Sequence, residues 1–129
     1  MDAKDVAITT VSANSHAVVA AGGTINLTGG SITTEGRFSL GLQANSNTGP
    51  ATINANGTTI TTSGDTSAGA ELTGSGQSTV SLTGGAIHTS GANAPGAILD
   101  GRGSYTLNLD STSITTTAPS SAMLQKQGL

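Results

Sequence analysis

The chain has 129 residues, with 19 Gly, one Phe, one Tyr and neither Trp nor Cys. Charged residues make up 9% of it and the formal net charge is −3, which excludes a highly charged disordered segment and gives no reason to expect nucleic acid as a partner. The lack of Cys excludes disulfides and thiolate metal sites, and no apolar stretch approaches the ~20 residues of a membrane-spanning helix.

The first predicted strand of each repeat is an Ile-x-Thr run, whose isoleucines recur at intervals of 24, 28, 27 and 27 residues. The defining pairs are Ile8/Thr10, Ile32/Thr34, Ile60/Thr62, Ile87/Thr89 and Ile114/Thr116. Alternation with period two is typical of a strand with one buried face. A repeat of this length indicates a stack of similar turns.

The second and third predicted strands follow at fixed distances. An apolar run lies ten residues after each isoleucine, and a third run ends five residues before the next one. The second run comprises Val18/Ala20, Leu42/Ala44, Ala70/Leu72, Ala97/Leu99 and Leu124, and the third comprises Ile25/Leu27, Ile53/Ala55, Val80/Leu82 and Leu107/Leu109. These registers predict an all-β fold, a right-handed parallel β-helix with three strands per coil and about 4–5 coils of about 27 residues. Residues 1–129 then form a single β-helix segment.

Stacking of coils turns equivalent positions into columns. The inward Thr column of the first run is predicted to be a ladder of hydroxyls hydrogen-bonded between neighbouring coils, since buried hydroxyls need partners. Outward positions of the third run, together with the longest variable corner, are the predicted binding surface, because recognition tends to use exposed loops and faces of rigid scaffolds. The ten candidates are Thr24, Asn26, Thr52, Asn54, Thr79, Ser81, Thr106, Asn108, Asn45 and Asn47.

Catalytic and metal-binding patterns are not found in the sequence. The histidines, His16 and His88, lie in different runs. The acidic residues fall in different columns, so no paired carboxylates for glycoside hydrolysis are expected. We therefore predict a protein that is not an enzyme and that needs no cofactor.

One stretch resembles a known family. Residues 89–99 read TSGANAPGAIL, residues 103–109 read GSYTLNL, and residues 63–70 repeat the first pattern as SGDTSAGA. These coils resemble the pertactin-like, AIDA-type passenger domains of bacterial autotransporters.

The resemblance implies a β-helix exported through the outer membrane to the bacterial cell surface or the extracellular medium, where such passengers act in adhesion, aggregation or biofilms. The expected partners are host surface or matrix components, or another copy of the chain, and the segment itself is not inserted in the membrane. The chain is then expected to be a fragment of a longer passenger domain. Two alternatives stay open: a carbohydrate-binding or carbohydrate-active β-helix of the phage-fibre or lyase type, and an ice-binding threonine array.

Overall fold

The computed structural model describes residues 1–118 and 121–127, and in these residues every regular element is a β-strand. No helix long and apolar enough to cross a membrane is present in this part of the chain. The strands are β1 (Asp2–Lys4), β2 (Ala7–Thr10), β3 (Val18–Ala21), β4 (Gly23–Thr28), β5 (Ser31–Thr34), β6 (Leu42–Asn45), β7 (Ala51–Asn56), β8 (Thr59–Thr62), β9 (Ala70–Gly74), β10 (Gln77–Thr83), β11 (Ala86–Thr89), β12 (Ala97–Gly101), β13 (Ser104–Asp110), β14 (Ser113–Thr116) and β15 (Leu124–Gln127).

The strands of the described residues form three parallel sheets that enclose a prism. Sheet A has the order β1-β4-β7-β10-β13, sheet B has β2-β5-β8-β11-β14, and sheet C has β3-β6-β9-β12-β15. Each strand pairs with its counterpart in the neighbouring coil, as Ile32 with Ile60 and Ile60 with Ile87. The predicted parallel β-helix is confirmed, with about four turns of about 27 residues.

Strand β1 is an element that the sequence pattern does not reveal. The run Asp-Ala-Lys carries no β-branched residue, yet Ala3 pairs with Leu27 in sheet A. The N-terminal amino group donates to the carbonyl oxygen of Thr24 (2.9 Å). Sheet A therefore begins one strand earlier than the repeat predicts.

The core lies inside the prism and consists of stacked aliphatic side chains. Ile53, Ile60, Leu72 and Ile87 are fully buried, and each such side chain contributes about 1.5–3 kcal/mol by leaving water. Burial falls off in the last coil, where Leu109 is 45% exposed. These side chains are buried by the coils stacked above and below them, and not by large aromatic residues.

Glycine is required where one coil crosses closely over the next. A Cβ added to Gly64 would lie 2.0 Å from the carbonyl oxygen of Gly36, and one added to Gly91 would lie 2.0 Å from that of Gly64. Neither glycine has a positive φ. Here glycine is needed for space and not for backbone conformation.

Three of the five inward threonines, Thr34, Thr62 and Thr89, are buried, but the hydroxyls of this column bond within a coil. Thr62 Oγ1 donates to the carbonyl oxygen of Ser67 (2.7 Å), and Thr89 Oγ1 donates to that of Ala94 (2.7 Å). Each bond closes the corner after a sheet B strand. The predicted threonine ladder between neighbouring coils is therefore wrong.

Serine hydroxyls make the bonds between coils instead. Ser67 Oγ donates to the carbonyl oxygen of Gly36 (2.9 Å) and accepts from the backbone N–H of Ser39 (2.9 Å). Ser39 Oγ repeats this one coil earlier, donating to Ser12 and accepting from Ser15. No buried side-chain polar atom of the described residues lacks a hydrogen-bond partner.

Candidate functional site

Eight of the ten predicted binding residues form one surface, the outer face of sheet A. Register pairs Thr24 with Thr52 and Asn26 with Asn54, and it pairs Thr52 with Thr79 and Asn54 with Ser81. The last strand continues both columns. This surface, called the Thr/Asn face below, consists of Thr24, Asn26, Thr52, Asn54, Thr79, Ser81, Thr106 and Asn108.

Amide side chains of the Thr/Asn face are ordered by hydrogen bonds that point toward the preceding coil. Asn54 Nδ2 donates to Asn26 Oδ1 (2.9 Å), and Asn108 Nδ2 donates to Ser81 Oγ (3.1 Å). At the start of the column, Asn26 Nδ2 donates to Asp2 Oδ1 (2.7 Å). An amide carries two N–H donors and two acceptor sites, so each fixed asparagine still presents groups to a ligand. The described part of the column therefore includes one carboxylate, that of Asp2.

A shallow groove of about 280 Å³ runs beside the Asn column. Its other side is formed by the next outward residues of the same strands, Thr28, Asn56 and Thr83. The sequence pattern did not predict these three residues, because the third run of the repeat ends one residue earlier, at Leu27, Ala55 and Leu82. The available signal was the alternation itself, which continues two residues beyond Asn26 and Asn54.

The other two candidates, Asn45 and Asn47, lie at the corner between β6 and β7 and not on the Thr/Asn face. Asn45 Oδ1 accepts from the backbone N–H of Asn47 (3.0 Å), and Asn47 Oδ1 accepts from that of Ser75 (3.2 Å). Their amide oxygens shape this corner, although the Asn47 side chain remains exposed.

A second groove, of about 210 Å³, lies outside sheet C and is called the sheet C groove. The turn after sheet B forms one wall, with Phe38, Leu40 and Thr66 among its lining residues, and Ile98 belongs to the sheet. His16, Glu71 and Asp100 supply its polar groups.

Two carboxylates line the sheet C groove from the adjacent strands β9 and β12. Glu71 is in register with Ile98, and Asp100 follows two residues later on the same outward side of β12. Burial raises the pKa of Glu71, a hydrogen bond from Gln43 (3.4 Å) opposes this, and the Asp100 charge raises it further. The prediction that no carboxylates pair for glycoside hydrolysis stays a prediction, since Glu71 and Asp100 are diagonal and not in register.

His16 is fixed at the first-coil end of the sheet C groove. Its Nδ1 accepts a hydrogen bond from the backbone N–H of Leu40 (3.0 Å), which places the proton of the neutral imidazole on Nε2. Burial lowers the pKa of His16. His88 is exposed on sheet B between Thr61 and Thr115. In residues 1–118 and 121–127 no group of three His, Asp or Glu side chains is placed to hold a metal ion.

The chain matches no protein-family model, no curated protein and no solved structure. The likeness to autotransporter passengers therefore stays a prediction, as do the carbohydrate-active and ice-binding alternatives. In the described residues, the groups available to a ligand are those on the outer faces of the sheets. These faces present ordered amides and hydroxyls on sheet A, and two carboxylates with an imidazole on sheet C.

Proposed function

We propose that this chain is an adhesive β-helix segment of a bacterial autotransporter passenger, which acts by binding and not by catalysis. One observation carries the proposal: over four strands in register, the Thr/Asn face repeats Thr in one column and Asn or Ser in the other. Coils repeat about every 4.8 Å. A partner that spans several coils meets the same donors and acceptors at each step.

The binding mode that fits such a face is avidity. One amide or hydroxyl contributes only about 0.5–1.5 kcal/mol by hydrogen bonding, but several bonds engaged together strengthen an attachment that no single bond sustains. Host surface or matrix components are the proposed partners. A second copy of the chain is the other proposed partner. Asparagine side chains are both donors and acceptors, so two such faces complement each other.

The proposed location is the bacterial cell surface or the extracellular medium. Support comes from the resemblance of residues 63–70, 89–99 and 103–109 to passenger coils. The location is tested on intact bacteria that express the full-length protein, with an external protease and an antibody to this segment. Loss of the epitope from intact cells supports display, and protection until lysis contradicts it.

A paired set of variants tests the adhesive role. Asn54→Lys with Ser81→Lys places two adjacent charges on the Thr/Asn face, and Thr61→Lys with His88→Lys places the same pair on the outer face of sheet B. We expect the first pair to weaken attachment to host cells or immobilised matrix at least tenfold, and to weaken self-association in sedimentation runs. The second pair should leave both unchanged. Equal losses in the two pairs, or none in the first, would refute the role of this face.

A further inference from the structure

The sheet C groove crosses four successive coils, with its lining drawn from each. His16 lies in the first, Leu40 in the second, Glu71 in the third and Asp100 in the fourth. Three coil steps correspond to about 14 Å along the rod. This is the dimension of a short linear oligomer and not of a single small molecule.

A peptide cannot bind here by adding a strand. Strands β6, β9 and β12 are each paired on both sides, so no free backbone edge of these strands borders the groove. Recognition must therefore use side chains. A ligand that presents hydroxyl and amino groups along a stiff chain suits this constraint.

The charge of the lining selects a cationic ligand. Glu71 and Asp100 both line the groove, from the adjacent strands β9 and β12, and no Lys or Arg is among the described residues that line it. The nearby Arg37 lies over the Phe38 ring, with Cζ 4.6 Å from the ring centroid. An ammonium group between the carboxylates relieves their repulsion and forms charge-assisted hydrogen bonds.

Apolar side chains line the groove together with the two carboxylates. The Phe38 side chain is 42% exposed, an unusual exposure for the one Phe of the chain, and Ile98 is partly buried between the polar ends. At the far end the Nε2–H of His16 is the remaining donor, because Nδ1 is held by Leu40. The groove thus combines carboxylates, an apolar middle and one imidazole donor.

The turn that forms the wall is strained only where it lines the groove. Asn14, Phe38, Thr66 and Asn93 occupy one column, with φ of 58°, 57°, 57° and 53°. Asn tolerates this left-handed conformation, whereas bulky and β-branched residues do so at a cost. The two costly residues, Phe38 and Thr66, are the ones beside the groove. Strain held at one place is characteristic of binding sites.

We propose that the sheet C groove binds a linear glycan that carries free amino groups. An ammonium group lies between Glu71 and Asp100, the apolar face of a sugar ring packs on Phe38 and Ile98, and a hydroxyl accepts from His16 Nε2–H. This site is independent of the Thr/Asn face, and loss of one leaves the other intact.

The test uses two matched probes on the whole chain, a β-1,4-linked glucosamine tetramer and its fully N-acetylated counterpart, with calorimetry at low salt. We expect saturable binding of the amino form and at least tenfold weaker binding of the acetylated form. Glu71→Gln and Asp100→Asn should each weaken binding at least fivefold. Glu35→Gln is the control, since Glu35 is exposed and does not line the groove.

Other outcomes overturn the proposal. Equal binding of both tetramers means that the carboxylates do not distinguish the amino group. Equal binding of tetralysine means that the groove attracts any polycation and recognises no glycan. Absence of saturable binding removes the site altogether. Folding does not confound the result, because Glu71→Gln replaces an anion that the fold disfavours; circular dichroism confirms that the variant is folded.

Discussion

Replacement of Gly64 by Ala tests the close stacking of coils most directly. The added Cβ would lie 2.0 Å from the carbonyl oxygen of Gly36, whereas carbon–oxygen contacts normally lie at about 3.3–3.6 Å. The two coils must separate locally by more than 1 Å, which is a large fraction of their ~4.8 Å spacing. Gly64 lies in a middle coil that is held from both sides. Ala118, its equivalent in the last described coil, has a described neighbour on one side only.

The expected cost combines two effects. Overpacking costs about 1–3 kcal/mol. Separation also breaks the bonds from Ser67 Oγ to Gly36 (2.9 Å) and from the N–H of Ser63 to Thr34 (2.9 Å), at about 1 kcal/mol each. The free energy of unfolding should therefore fall by about 3–5 kcal/mol, as measured by urea denaturation followed by circular dichroism.

Gly57→Ala is the matched control. No atom lies within 4 Å of the position that a Cβ would take on Gly57, but its φ is +69°, so only the backbone penalty of about 1–2 kcal/mol applies. Gly57→Asn should recover most of that loss, since Asn tolerates this φ. If Gly64→Ala costs no more than Gly57→Ala, the idea that glycine is retained here for space fails.

Further predictions concern the corner after sheet B and the two side chains whose pKa is shifted, Glu71 and His16. Thr66→Asn should raise the free energy of unfolding by about 1 kcal/mol, since it relieves a left-handed φ; a loss of stability contradicts this. Ser67→Ala should lower it by about 1–3 kcal/mol by leaving the N–H of Ser39 without a partner; an unchanged urea midpoint argues against the serine ladder. The raised pKa of Glu71 means that stability falls as pH rises above 4.5 through the folded pKa. Glu71→Gln should therefore be the more stable protein at pH 7, with no advantage below pH 4.5. The lowered pKa of His16 has the opposite sign, so stability is lost as pH falls from 6.5 through the folded pKa. His16→Gln should flatten that part of the curve, and an unchanged slope would show that another group titrates.

The stacking of the coils was predictable because the repeat fixes it. Ile32, Ile60 and Ile87 recur at intervals of 28 and 27 residues, and a slip of one residue within a strand pair would turn every side chain of that strand to the wrong face. The same alternation placed the eight residues of the Thr/Asn face on one side of sheet A. Strand β1 was not predicted because Asp2, Ala3 and Lys4 have low strand propensity. They form a strand because they pair with the neighbouring strand β4.

Contacts between neighbouring columns were not predictable from the repeat. Glu71 and Asp100 belong to different columns, and they line one groove because these two outward positions lie diagonally across β9 and β12. The hydrogen-bond partners of the buried hydroxyls were equally unpredictable from the repeat. Thr62 and Ser67 are both buried polar residues, and only the path of the corner decides which bonds within a coil and which bonds to the next.

The direction of the backbone hydrogen bonds has a mechanical consequence. Bonds between paired strands run along the long axis of the prism, so tension on the two ends opens them coil by coil instead of shearing a whole sheet at once. Each coil that comes free turns about 4.8 Å of rod into about 90 Å of extended chain. A rod of this kind lengthens in small steps under load and absorbs work at each one, which fits the adhesive role proposed above.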